Sequence, residues 1–130
     1  MGEKSMVEQS GDSVDPTSFQ VAKHQVDQAA VLTVSGEVDM LSAPQLAEAV
    51  HTALAARPAA LIVDLSKVDF LASAGMTVLV SALDEVVPPT RFAVVAYGAA
   101  TSRPIKLMGL DSILSLHSSL DSALIGVVDG

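Results

Sequence analysis

Between Ala60 and Pro89 the chain changes its hydrophobic period once, and that change restricts the folds open to it. Leu61-Ile62-Val63 is a short apolar run, closed by Asp64-Leu65-Ser66. So short a block of β-branched and leucine residues fits a strand buried on both faces. Beyond it Met76, Leu79, Val80, Leu83, Val86 and Val87 recur three and four residues apart, the stripe of an amphipathic helix. Pro88-Pro89 ends that helix, because proline lacks the N–H and its ring clashes with the preceding turn.

Lys67 to Gly75 joins the two elements, and Ser73 stands where the N-cap of the helix is expected. Its hydroxyl can accept a bond from an unpaired N–H of the first turn. Ala74 and Gly75 leave the backbone there almost bare. A hydroxyl at the positive end of a helix, with nothing bulky beside it, is within reach of another protein. A phosphate would be electrostatically welcome there. Most serines at such positions only cap, and small residues also allow tight helix–sheet packing. Spacing alone does not separate these readings.

The rest of the chain alternates in the same way. Phe19, Val21 and His24 up to Val26, then Val31, Leu32, Val34 and Val38, predict a hairpin around the polar break Asp27-Gln28. Gly36-Glu37-Val38-Asp39 leaves its second strand. Ser42 precedes a helix with Pro44 in its first turn and Leu46, Val50, Ala53 and Leu54 inward. Gln45, Glu48, His51 and Thr52 face out, and Pro58 closes the segment. Arg91 to Tyr97 predicts a strand. Thr101 or Ser102 caps a short helix that turns Ile105, Leu107 and Met108 inward and stops at Gly109. Ile113, Leu114 and Leu116 predict a last strand. Ser118 with Asp121 opens a final helix through Leu120, Ala123, Leu124 and Val127. The expected fold is α/β, in the order β-β-α-β-α-β-α-β-α. Its sheet is small, mixed and mostly parallel, with an antiparallel N-terminal hairpin. Right-handed crossovers put consecutive helices on one face unless the strand order reverses. Residues 1–17, rich in Ser, Glu, Asp and Gly, are expected to be a disordered tail, and 18–130 one domain.

Bulk chemistry narrows the function. A formal charge of −8 argues against nucleic acid and against an anionic membrane surface, and suits a basic protein patch. The chain has no cysteine, so disulfides and thiolate chemistry are excluded. No apolar run approaches the roughly 20 residues of a membrane span, and Met1 to Met6 carry no signal-peptide core. Met6 stands where a myristoylation signal needs Ser or Thr. A cytoplasmic location is expected.

Catalytic patterns are missing. His24, His51 and His117 share no motif at ligand spacing, so no metal site and no cofactor are expected. Leu71 occupies the first glycine position of a nucleophile elbow around Ser73. Neither phosphate-binding glycine motif occurs. Asp39, Asp64 and Asp69 lie near strand ends, but no lysine follows a late strand to complete an aspartate phosphoacceptor. The chain is not expected to be an enzyme.

Asp64-Leu65-Ser66-Lys67-Val68-Asp69-Phe70-Leu71-Ala72-Ser73-Ala74-Gly75-Met76 resembles the signature of the STAS domain, in particular that of bacterial anti-sigma factor antagonists. That signature is Asp-Leu-Ser, three variable residues, Phe, an aliphatic residue, Asp-Ser, a small residue, Gly and an aliphatic residue. Gly36-Glu37-Val38-Asp39, followed by Ala43-Pro44 and Leu46, is similar to the family's second motif. The resemblance implies a partner-switching regulator of transcription. The dephosphorylated antagonist binds an anti-sigma factor, usually a kinase of the histidine-kinase-like ATPase fold, and frees the sigma factor. The kinase phosphorylates the motif serine, and a PP2C-type phosphatase restores it. Carried over, Ser73 is the phosphorylation site, and Asp39, Ser66, Ala72, Ala74, Gly75, Met76 and Thr77 line the docking face. Ala72 departs from the pattern, which has Asp there, and removes one charge from that face. The same resemblance also admits a stand-alone scaffold or nucleotide-sensing module in a transport or stressosome-like assembly.

Overall fold

The computed structural model of the chain describes residues 19–129. The tail expected over residues 1–17 lies outside them. Strands β1 (Gln20–Val26), β2 (Ala29–Val38), β3 (Ala60–Leu71), β4 (Arg91–Val95) and β5 (Leu116–His117) form one sheet, in sequence order across it. Helices α1 (Ala43–Ala55), α2 (Ser73–Glu85), α3 (Ser102–Leu107) and α4 (Leu120–Asp129) connect and cover it. Only β1 and β2 pair antiparallel; the other three ladders are parallel. The hairpin closes through Asp27-Gln28, with Val26 opposite Ala29. Asp27 takes φ 55°, a left-handed conformation that Asp tolerates better than most residues.

Strand order without reversal puts the three crossover helices on one face, as right-handed connections require. Leu46 and Val50 of α1, Met76 and Leu79 of α2 and Ile105 of α3 pack there against Leu32, Val34, Leu61 and Val63. The other face holds Val31, Ile62, Ala93 and Val95 under Ala123 of α4. Consecutive residues of β3 therefore serve opposite cores, which is why Leu61-Ile62-Val63 is apolar without alternation. On the surface His51 Nδ1 meets Glu85 Oε2 at 2.6 Å and ties α1 to α2. The hydrogen bond to Glu85, then its charge, holds the imidazole above its ordinary range. What that pair contributes is fully present below the ordinary histidine value and fades as pH rises through the raised one.

The structure corrects several expectations. Helix α2 ends at Glu85, so Val86 and Val87 lie beyond it and Val87 is exposed. β3 does not stop at Ser66 but runs to Leu71. Two shifts of register against β2, between Thr33 and Ser35 and between Gly36 and Glu37, add a residue to β3 each time. These bulges break the two-residue alternation and made a strand read as a loop. The last strand is only Leu116–His117, and a 3-10 turn over Leu110–Ser112 precedes it. Leu107 and Met108 are exposed, because α3 has six residues and turns only Ile105 fully inward. Ser119, not Ser118, caps α4, its hydroxyl accepting the N–H of Ser122 at 3.1 Å.

Leu61 is fully buried in the central strand. Leu61→Ala is expected to cost about 2–5 kcal/mol, read as a lowered urea midpoint with an unchanged slope.

Candidate functional site

The two sequence motifs meet at the ends of β2 and β3. Glu37 pairs with Phe70 and Val38 with Leu71, and Ala72 then donates its N–H to Val38 O at 2.8 Å. Gly36 takes φ 89° at the second bulge, a conformation that favours glycine. The chain turns at Ala72 directly into α2.

Ser73 is the first residue of α2, and Ala72, extended at φ −82° and ψ 169°, holds the N-cap position. Ser73 as N-cap is thus displaced by one residue. Ala72 has no side-chain oxygen to offer, so the start of α2 lacks a side-chain cap. Its carbonyl accepts the N–H groups of Gly75 and Met76 at 3.0 and 3.2 Å. Ser73 is exposed, and its hydroxyl has no partner among the described residues. Thr77 is also exposed, but its hydroxyl is engaged with the Ser73 carbonyl at 3.0 Å.

Gly75 and Met76 are buried, and Ala74 is half-buried. A Cβ on Gly75 would lie 2.6 Å from Val38 Cγ1 and 2.7 Å from Leu71 Cδ1. The glycine therefore lets the first turn of α2 sit directly on the ends of β2 and β3. Ser66 stands five residues before the end of β3, roughly 15 Å back at the usual rise per residue. It is exposed, and its N–H is held by Asp64 Oδ1 at 2.9 Å.

Asp39 is half-buried and organises the loop into α1. Its Oδ1 accepts the N–H groups of Leu41 and Ser42, both at 3.0 Å. Ser42 Oγ accepts the Asp39 N–H at 2.9 Å and donates to Glu37 O at 2.8 Å. The Ser42 N–H, more than the other bonds, holds the Asp39 carboxyl below its ordinary range. This loop lifts Met40 and Leu41 into solvent, at 77% and 86% exposure, and Phe70 across the ladder is 52% exposed. The sequence did not point to these three. Two neighbouring apolar residues in a loop, where polar residues prevail, were the available signal. An exposed hydroxyl at the end of the sheet that also presents Met40, Leu41 and Phe70 suits binding by another protein and a charge-based switch. Among the described residues no group of three or more His, Asp or Glu could hold a metal ion. No described helix is long and apolar enough to cross a membrane.

Two stability measurements and one titration check this account. Gly75→Ala is expected to cost about 1–3 kcal/mol by crowding Val38 and Leu71. Ala72→Asp, which supplies the missing cap, should add about 1 kcal/mol in the same urea series. The depressed Asp39 carboxyl contributes stability present above the ordinary aspartate value and lost as pH falls through the lowered one. Asp39→Asn should therefore be less stable than the parent near neutrality, and the gap should close in acid.

A family model described as the STAS domain matches residues 20–123. The chain is 42% identical over 116 residues to the anti-sigma-F factor antagonist RsfB of Mycobacterium tuberculosis, covering 89% of this chain and 93% of that protein. The crystal structure of an anti-sigma factor antagonist from Mycobacterium paratuberculosis is similar at TM-score 0.83 and 42% identity, over 87% of this chain and 97% of that one. The antagonist SpoIIAA in its unphosphorylated form shares the fold at TM-score 0.67 and 16% identity, over 87% and 98%. The relatives are named for regulation, not for catalysis. With its two motifs joined at the C-terminal ends of neighbouring strands, the chain belongs to the STAS-domain family, among the anti-sigma factor antagonists.

Proposed function

We propose that the chain binds an anti-sigma factor through the surface around Ser73, and that phosphorylation of Ser73 releases it. The observation that carries this reading is the exposed Ser73 hydroxyl at a helix start without a side-chain cap, at the same end of the sheet as the exposed Met40, Leu41 and Phe70. Aromatic and methionine side chains are over-represented at protein interfaces, and of the exposed hydroxyls at Ser66 and Ser73 only that of Ser73 stands at the start of a helix, where Thr77 beside it is already engaged.

The dephosphorylated protein docks Met40, Leu41 and Phe70 against the anti-sigma factor, which then lets go of its sigma factor. A kinase, supplied by that partner if it has the ATPase fold of the family, adds about −1.5 to −2 charges at Ser73. The free protein tolerates them, because the first-turn N–H groups of α2 and its dipole favour an anion. The complex does not, because the added charge must be desolvated against the partner. A PP2C-type phosphatase resets the switch in the cytoplasm. Ala72 in place of the family's Asp removes a carboxylate that would repel the phosphate, so the missing charge does not argue against modification.

The test is titration of the protein with its cognate anti-sigma factor. Phe70→Ala and Leu41→Ser should each weaken binding by about tenfold or more while keeping the parent's melting temperature. Ser73→Ala should bind like the parent, and Ser73→Glu should bind far more weakly. Parent-like affinity of Ser73→Glu would sink the switch. After incubation with the kinase and ATP, mass spectrometry should locate phosphate on Ser73; phosphate on Ser66 or Thr77 instead would move the site.

A further inference from the structure

The opposite end of the sheet, where the parallel strands begin, carries an open groove of about 660 Å3. Small-molecule pockets occupy roughly 300–1,000 Å3. The room exists because Ala29, Ala59 and Ala60 stand where the strands begin and offer no more than a methyl group. Leu124, Ile125 and Val128 of α4 form the wall. Ile125 and Val128 are 62% and 79% exposed, so the wall continues as apolar surface. Arg91, the first residue of β4, lines the groove and is exposed. Lys23 and Arg57 line the adjoining hollow. Three of the chain's seven Lys and Arg residues thus gather at this end of a protein whose formal charge is −8.

We infer that this groove binds a single-chain fatty acid, with the acyl chain along the alanine floor and the α4 wall and the carboxylate at the Arg91 guanidinium. The apolar lining calls for a hydrocarbon body, and a guanidinium beside it calls for a planar anion. Asp27 lines the same groove and opposes a doubly charged head such as phosphate, which favours a carboxylate. None of these residues belongs to the Ser73 surface, so the inference stands apart from the proposed switch.

The full chain, labelled with nitrogen-15, is titrated with dodecanoate below its micelle concentration, and in parallel with dodecyltrimethylammonium, which has the same tail and the opposite charge. Dodecanoate should saturate one site, with shifts centred on Ala29, Ala59, Arg91, Leu124 and Val128. The cationic amphiphile should bind at least about tenfold more weakly, and Arg91→Leu should lose about tenfold in affinity for dodecanoate. Ala59→Phe, at an exposed floor position, should abolish binding while the melting temperature stays that of the parent. Shifts that scatter over the surface without saturating would overturn the inference, as would equal binding of both amphiphiles or an unchanged affinity in Arg91→Leu. Concentration-dependent shifts of the same residues without any ligand would give the groove to a second copy of the chain and overturn it too.

Discussion

The parallel ladder between β2 and β3 is the constraint on which the rest of the molecule depends. Its last two pairs, Glu37 with Phe70 and Val38 with Leu71, bring together two motifs that lie far apart in sequence. Parallel pairing needs a crossover, and α1 supplies it. The start of α1 is in turn fixed by the Asp39–Ser42 hydrogen bonds just past the end of β2. Gly75 then allows α2 to begin in contact with Val38 and Leu71. Conserving volume at that contact matters more than any single polar bond nearby. Crowding a packed core costs about 1–3 kcal/mol, whereas a helix cap is worth typically about 1. The glycine of the signature is thus a packing residue, and the serine two residues before it stands exposed at the start of the helix that the glycine seats.

Much of this arrangement was legible in the sequence. Period changes located all four helices and the order of elements along the chain, because residues such as Leu61, Ile62 and Val63 report burial on two faces and Leu46, Val50 and Ala53 report burial on one; the order of strands across the sheet stayed open. What stayed hidden has physical reasons. Ser66, Lys67 and Asp69 are polar because β3 outruns β4, whose last pair is Val95 with Asp64. Beyond that point the strand lacks a neighbour on one side and gains two bulges on the other, so neither burial nor alternation marks it. Leu107 and Met108 read as core because large apolar residues usually are, and no pattern in a six-residue helix can say otherwise. Ser118 and Ser119 are adjacent, and a capping motif cannot resolve a shift of one residue.

The site divides in the same way. Ser73 was found by its place between a strand and a helix, and its exposure depends on nothing finer than that placement. Met40, Leu41 and Phe70 were not found. Phe70 follows Val68 by two residues and by alternation belongs in the core beside it, yet the bulge at Gly36 and Glu37 makes Asp69 the unpaired residue and turns Phe70 out. A change of face produced by one extra residue is invisible to composition and to period alike.

Ala72 decides which state a phosphate at Ser73 would act on. An aspartate at the N-cap would already occupy first-turn N–H groups and set a negative charge next to the modified serine. With alanine there, those groups stay without a side-chain partner. A phosphate close by gains from them and from the helix dipole about 0.3–1 kcal/mol, a small stabilisation of the free domain. Burying the same charge against a partner, beside Met40, Leu41 and Phe70, costs several kcal/mol unless a counter-charge meets it. The two magnitudes differ in sign and severalfold in size. On this reading the modification leaves the fold standing and acts on the complex alone, and the charge that discriminates between the two states arrives entirely with the phosphate.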